Sequence, residues 1–327
     1  MAILNNHGGI YGKAGTVVYR RYRGMTVVQG RPGPRKKKSL SSKAAACEFG
    51  LASTTAAIIR EALSVSHREL NDGGLVNRCN SAVYRSILAS RDKERGSRDI
   101  HDGDVSYLEG LEFNIRSRFS DILKVKPEVY RNAQGQVTVK VPDIDGRRDI
   151  RAWVRQIEGG RYVLKFVLIA FNFREEFYEY VGIRELSFLR SSGQKATELV
   201  FDREIPPGCF LTLACSLTFE RQSAIANKWE SVNSLDFNPG MILATFPTEG
   251  EAEKGYGKRR IGEALEAVKA KGDHYMIRPL SGYAGKALLG KMKALEEKAS
   301  RRKKRHQGIF KAEPEEPVPL EGKRVKF

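Results

Sequence analysis

The pattern of apolar and polar positions changes character several times along the chain, and each change marks an element. Thr16-Val-Val-Tyr-Arg-Arg-Tyr22 is rich in strand formers, Arg23-Gly24 marks a turn, and Met25-Thr-Val-Val-Gln29 returns, so residues 10–29 predict a hairpin. Gly30-Arg-Pro-Gly-Pro-Arg-Lys-Lys-Lys38 follows as a loop, because Pro32 and Pro34 exclude helix. Ser41 or Ser42 is placed to cap a helix running to about Leu70, with Phe49, Ala52, Ala56, Ile59 and Leu63 near one face. Asn71-Asp-Gly-Gly74 ends it, a second helix spans Leu75–Lys93, and the polar Arg95–Asp104 reads as a linker.

From about residue 110 the period becomes two. Val137, Val139 and Val141 alternate with polar residues, Arg161–Phe173 is a long apolar run suited to a central strand, and Cys209–Phe219 alternates most clearly. In that last segment Cys209, Leu211, Leu213, Cys215, Leu217 and Phe219 are expected to face inward, and Thr212, Ser216 and Thr218 outward. Turns at Asn132–Gly135, Asp143–Gly146, Gly159-Gly160 and Pro206–Gly208 punctuate the region as in a β-sandwich of immunoglobulin-like type, whose last strand ends near Phe246-Pro247. Beyond Thr248 the segment Gly255–Arg260 reads as flexible and basic. Ala284–Arg305 reads as a basic amphipathic helix with Leu288, Met292, Leu295 and Ala299 on one stripe, and Glu313–Phe327 as a disordered end. The expected fold class is therefore α+β: basic hairpin and loop (1–40), helical segment and linker (41–105), sandwich (106–248), and basic tail (249–327).

Charge sharpens this picture. The 327 residues carry a formal net charge of +18. Residues 1–43 hold ten Lys or Arg and no Asp or Glu, and residues 254–311 hold 17 basic against 5 acidic residues. Residues 44–253 hold 27 basic and 30 acidic, so the excess resides in two end segments around a nearly neutral middle. Such segments point to a polyanion, nucleic acid first. The expected phosphate contacts are Lys13, Arg20, Arg21, Arg23, Arg31, Arg35, Lys36, Lys37 and Lys38 at one end, and Lys258, Arg259, Arg260, Arg301, Arg302, Lys303, Lys304 and Arg305 at the other. Tyr19 and Tyr22, interleaved with arginines, are candidates to stack on bases. An assembly protein of virion or ribosome type, with a protein-binding body and genome-neutralising arms, is the alternative. Membrane-surface binding by the helix at 284–305 is disfavoured by an apolar stripe without Trp or Phe.

Catalytic signals are absent from the pattern. His7, His67, His101, His274 and His306 have no metal-ligand spacing, and Cys47, Cys79, Cys209 and Cys215 have no CxxC spacing. Gly8–Lys13 lacks the spacing of a phosphate loop. Asp143-Ile-Asp-Gly146 opens like a calcium loop but has Val154 where the closing Glu belongs, and Asp99, Asp102 and Asp104 read as linker residues. No cofactor is expected. With no signal-peptide pattern and no run of roughly 18 apolar residues, the expectation is a cytoplasmic protein without a membrane span.

The segment Tyr11–Pro34, with its Gly-Lys-x-Gly-x-Val-Val strand, Gly turn and Pro-x-Pro loop, resembles the opening of a family of uncharacterised Bacteroidota proteins. Phe119–Leu123 and Asn238–Leu243 extend the resemblance over about residues 8–246. It implies a cytoplasmic bacterial or mobile-element origin and a sandwich body, and carries no activity. The basic tail after residue 250 and Arg35–Lys38 depart from the family pattern.

Overall fold

The computed structural model describes residues 2–4, 8–22, 25–31, 33, 38–151, 160–223, 228–247, 250–271 and 276–309, with the side chains of 267–271 and 302–309 outside the description. Two units divide the chain, Met1–Lys43 and Ala44–Phe327.

In the first unit β1 (Ala2–Leu4), β2 (Ile10–Ala14), β3 (Val17–Tyr22) and β4 (Met25–Gly30) form an antiparallel sheet in chain order. The expected hairpin is β3–β4, and two more strands precede it. Gly15, at φ +56°, makes the β2–β3 turn in a conformation that strains residues with a Cβ. No described residue of this sheet is buried.

Helices come next: α1 (Leu40–Ala62), the turn α2 (Ser64–His67) and α3 (Leu75–Leu88). The Ser39 hydroxyl accepts from the Ser42 N–H at 3.1 Å, so Ser39 supplies the cap that was expected of Ser41 or Ser42. The run to Leu70 is interrupted because Arg68 and Glu69 adopt φ of 46° and 61°. Ala52, Ala56, Ile59 and Leu63 are buried as expected, but Phe49 is exposed and meets Tyr84 edge-on. Asp72 starts α3 by accepting from the Gly74 and Leu75 N–H groups, and α3 stops five residues short of Lys93. Arg95–Asp104 is no linker. Asp99 and Asp102 cap a helical turn over Ile100–Asp102 reciprocally, and both carboxylates bind Arg174. That ties the segment to the sheet. The short α4 (Phe119–Ile122) leads into the strands.

β5 (Glu128–Arg131), β6 (Val137–Val141) and β9 (Thr197–Phe201) form a three-stranded antiparallel sheet, with the Asn132 carbonyl of the side chain accepting two backbone N–H groups in the β5–β6 turn. The larger sheet is built on β7 (Arg161–Asn172), β8 (Phe177–Leu189) and β10 (Phe210–Gln222). β11 (Trp229–Ser231) and β12 (Gly240–Phe246) both pair with β10, and the short β13 (Ile277–Pro279) pairs with β8. α5 (Tyr256–Lys271) lies between β12 and β13 in the chain, and α6 (Gly285–Ile309) follows β13. The fold is thus mixed α and β.

Both faces of the large sheet are covered. Leu164, Phe166 and Leu168 of β7 and Leu211, Leu213, Cys215 and Leu217 of β10 share a core with Val137, Val139, Val141 and Phe201 of the small sheet. Val167, Ile169, Phe171, Phe210 and Ala214 point the other way, into a core shared with α1, α3 and Met292 of α6. Thr212, Ser216 and Thr218 are therefore buried, not outward-facing as the alternation suggested. The helical segment, the β-rich region and the described part of the tail belong to one unit rather than to the separate stretches 41–105, 106–248 and 249–327. Each fully buried Leu on these strands contributes about 1.5–3 kcal/mol of burial free energy.

The Gly255–Arg260 stretch expected to be flexible begins α5. Gly257 lets that helix lie directly on the Glu175 backbone and the Phe177 ring, where a Cβ would collide. The tail accordingly contains two helices rather than one. The second docks through the expected stripe: Met292 is buried, and Leu288 and Leu295 pack on the core beside it. The disordered end expected at Glu313–Phe327 lies outside the described residues. Among the described residues no helix is long and apolar enough to cross a membrane.

Candidate nucleic-acid interface

The register of the first unit sorts the expected contact residues. Directly opposed residues of an antiparallel pair point to the same face, and successive residues of a strand to opposite faces. Val18 opposes Lys13 on β2 and Gln29 on β4; Arg20 opposes Val27, and Tyr22 opposes Met25. Lys13, Arg20 and Tyr22 therefore share one face. Tyr19 opposes Gly12 and Val28, and Arg21 opposes Thr26, so Tyr19 and Arg21 share the other. The order Tyr-Arg-Arg-Tyr looked like one mixed cluster, and the pleat splits it into two.

The first face carries its charge in the open. Lys13, Arg20 and Tyr22 are exposed, and the Arg20 guanidinium lies 5.9 Å from the centroid of the Tyr22 ring. Among the described residues Lys13, Arg20, Arg21 and Arg31 have no carboxylate partner. Composition enforces this within the unit, since residues 1–43 contain no Asp or Glu. Arg31 follows β4 and donates its backbone N–H to the Thr16 carbonyl at 2.6 Å, which continues the β3–β4 edge into the basic loop. Lys38 is exposed, while Arg23, Arg35, Lys36 and Lys37 lie outside the described residues.

The C-terminal candidates divide differently. On α5 Lys258 is exposed, but Arg259 pairs with Glu253 at 3.3 Å and stacks over Tyr256. Arg260 reaches the buried Glu179 at 3.5 Å, which Arg203 also meets at 3.2 Å. Its charge is used to hold α5 on the sheet. Arg301 is exposed on α6; Arg302, Lys303, Lys304 and Arg305 continue that helix, and their side chains lie outside the description.

The groups with catalytic chemistry are engaged in packing. The thiols of Cys79, Cys209 and Cys215 are buried, and desolvation pushes all three up, Cys79 to about 11. Cys47 is likewise buried, and all four cysteines are free. The His101 Nε2 accepts from the Phe173 N–H at 2.9 Å, between the rings of Phe173 and Phe210, and burial lowers its pKa to about 4. His67 Nδ1 accepts from the Glu69 N–H, so its proton sits on Nε2, which faces the Arg60 carbonyl; burial again favours the neutral ring. Asp145 accepts the backbone N–H groups of Arg147 and Arg148, as a turn residue does, and Asp143 accepts the N–H of Ala196, distant in the chain. Among the described residues no His, Cys, Asp and Glu cluster is arranged for a metal ion.

No family model, no curated protein and no solved structure matches the chain.

Proposed function

We propose that this is a non-catalytic nucleic-acid-binding protein whose basic end segments hold the phosphate backbone. The supporting observation is the acid-free N-terminal sheet, on which Lys13, Arg20, Arg21 and Arg31 have no carboxylate partner among the described residues. An exposed cation without an ion-pair partner gains most from a phosphate, because no existing pair is broken and condensed counterions are released. Arg301 and the basic run after it extend the same logic to the C-terminal end. DNA and RNA both meet this description. The buried free thiols support a reducing, cytoplasmic setting. The core shared by the two sheets supports a sandwich-like body.

The test is binding to a labelled oligonucleotide across a salt series. Replacing Lys13, Arg20, Arg21 and Arg31 together by Gln lowers the slope of log affinity against log salt by on the order of 3, at about 0.7–0.9 per phosphate contact. An unchanged slope overturns the assignment of the N-terminal sheet.

The alternative is an assembly protein whose arms neutralise a packaged or bound nucleic acid. One observation favours it: Leu4 and Val28 of the same sheet are 67% and 56% exposed, which suits contact with another protein. Sedimentation separates the two. Regular high-order particles carrying nucleic acid support assembly, and a monomer that binds in solution supports the binding module.

A further inference from the structure

We infer that the ligand of the N-terminal sheet is a single-stranded nucleic acid, taken by the face that carries Lys13, Arg20 and Tyr22. The inference rests on the nucleic-acid reading above and narrows it to one face and one strand state.

The last rung of the β3–β4 hairpin pairs Tyr22 with Met25, and these side chains are 46% and 62% exposed. Two large apolar groups are thus held side by side at the hairpin end, next to Arg20, with Lys13 two rungs further along the same face. The charges fit phosphates spaced along a strand. The Tyr22–Met25 rung fits the flat surface of a base, and covering it removes apolar area from water. In a duplex the base faces are already stacked on one another, so a duplex offers this rung only backbone and groove edges. A single strand offers the faces themselves. The opposite face carries one cation among the described residues, Arg21, and its aromatic rung pairs Tyr19 with Val28, where Tyr19 is half-buried rather than exposed like Tyr22. The rung also separates the roles of the two tyrosines, which the sequence left equivalent.

The experiment uses the full chain with fluorescein-labelled single-stranded dT20 and rU20 and a mixed-sequence 20-base-pair duplex, read by anisotropy at fixed salt. Tyr22→Ala weakens single-strand binding by on the order of tenfold, the loss of one stacked base. It changes duplex binding less than twofold. Tyr19→Ala changes either less than twofold, and Tyr22→Phe keeps single-strand affinity, which separates lost stacking from a disturbed sheet. Equal losses for Tyr19→Ala and Tyr22→Ala, or tighter binding of duplex than of single strand, overturn the inference while salt-dependent binding still upholds the broader proposal. Absence of binding to all three probes overturns both.

Discussion

At the scale of single residues, buried ionisable groups in this protein act as fasteners. Glu48 is fully buried and meets Arg98 at 2.7 Å and Arg95 at 3.4 Å, which holds the 95–98 segment against α1. Arg174 does the same for the helical turn at Ile100, through Asp99 and Asp102. His101 sits at that turn as a neutral acceptor, and this sets a pH dependence. Its folded-state pKa of about 4 lies below the 6.5 of an exposed histidine, so the unfolded chain binds its proton first as pH falls. The contribution of His101 is complete above about pH 6.5 and is lost as pH drops toward 4, ~3 kcal/mol over the window. Urea unfolding at pH 7 and pH 4.5 measures it. His101→Asn retains an acceptor for the Phe173 N–H and shows a smaller acid-side loss than the wild type; an equal loss assigns the effect to other groups. These partnerships were not readable from the chain, because Arg174 is 75 residues from Asp99 and no local pattern joins them. Free cysteines on packed faces were readable, since Cys209 and Cys215 fall in register with leucines.

At the scale of elements, β7 and β10 were evident because a central strand must be continuously apolar or alternating, and both are. α5 was hidden. Its first turns read Tyr-Gly-Lys-Arg-Arg-Ile-Gly, and two glycines with three cations look like a loop when taken alone. The two glycines have different reasons. A Cβ at Gly257 would strike the Glu175 backbone, whereas a Cβ at Gly262 meets nothing within 4 Å. Helix propensity alone makes Gly→Ala favourable by about 1 kcal/mol at either position. The expected results therefore have opposite signs: Gly262→Ala raises the melting temperature, and Gly257→Ala lowers it at a cost of about 1–3 kcal/mol. Thermal unfolding followed by circular dichroism reads both, and a stabilising Gly257→Ala would show that α5 does not rest on the β7–β8 turn. The same comparison explains Phe49. Its spacing places it near the expected apolar stripe, but the stripe is defined by what α1 packs on, and Phe49 lies at its margin beside Tyr84.

At the scale of the whole molecule, the two units differ in how they hold their shape. The described residues of the second unit bury two cores on opposite faces of one sheet. The N-terminal sheet has no buried described residue and depends on its backbone hydrogen bonds. A few strands without a buried face are marginal in water. Hydrogen exchange is accordingly expected to be fast across 8–22 and 25–31 and slow across β7 and β10, and saturating single-stranded oligonucleotide slows it selectively in the former. Protection of the sheet in the free protein equal to that of β10 would contradict this.

The sequence by itself determined the separation of charge into two ends, the strand character of Val17–Tyr22, Arg161–Asn172 and Phe210–Gln222, and the apolar stripe of α6. Each is a local property: composition, a period of two, a period near 3.6. Only the tertiary structure decided that the even face of β10 is covered by helices, that Arg260 is consumed by a buried Glu179 while Arg20 is left open, and that Tyr19 and Tyr22 look in opposite directions. Those outcomes depend on which segments meet across long stretches of chain and on strand register. A one-residue difference in register exchanges the two faces of a sheet, and no composition or spacing records that choice.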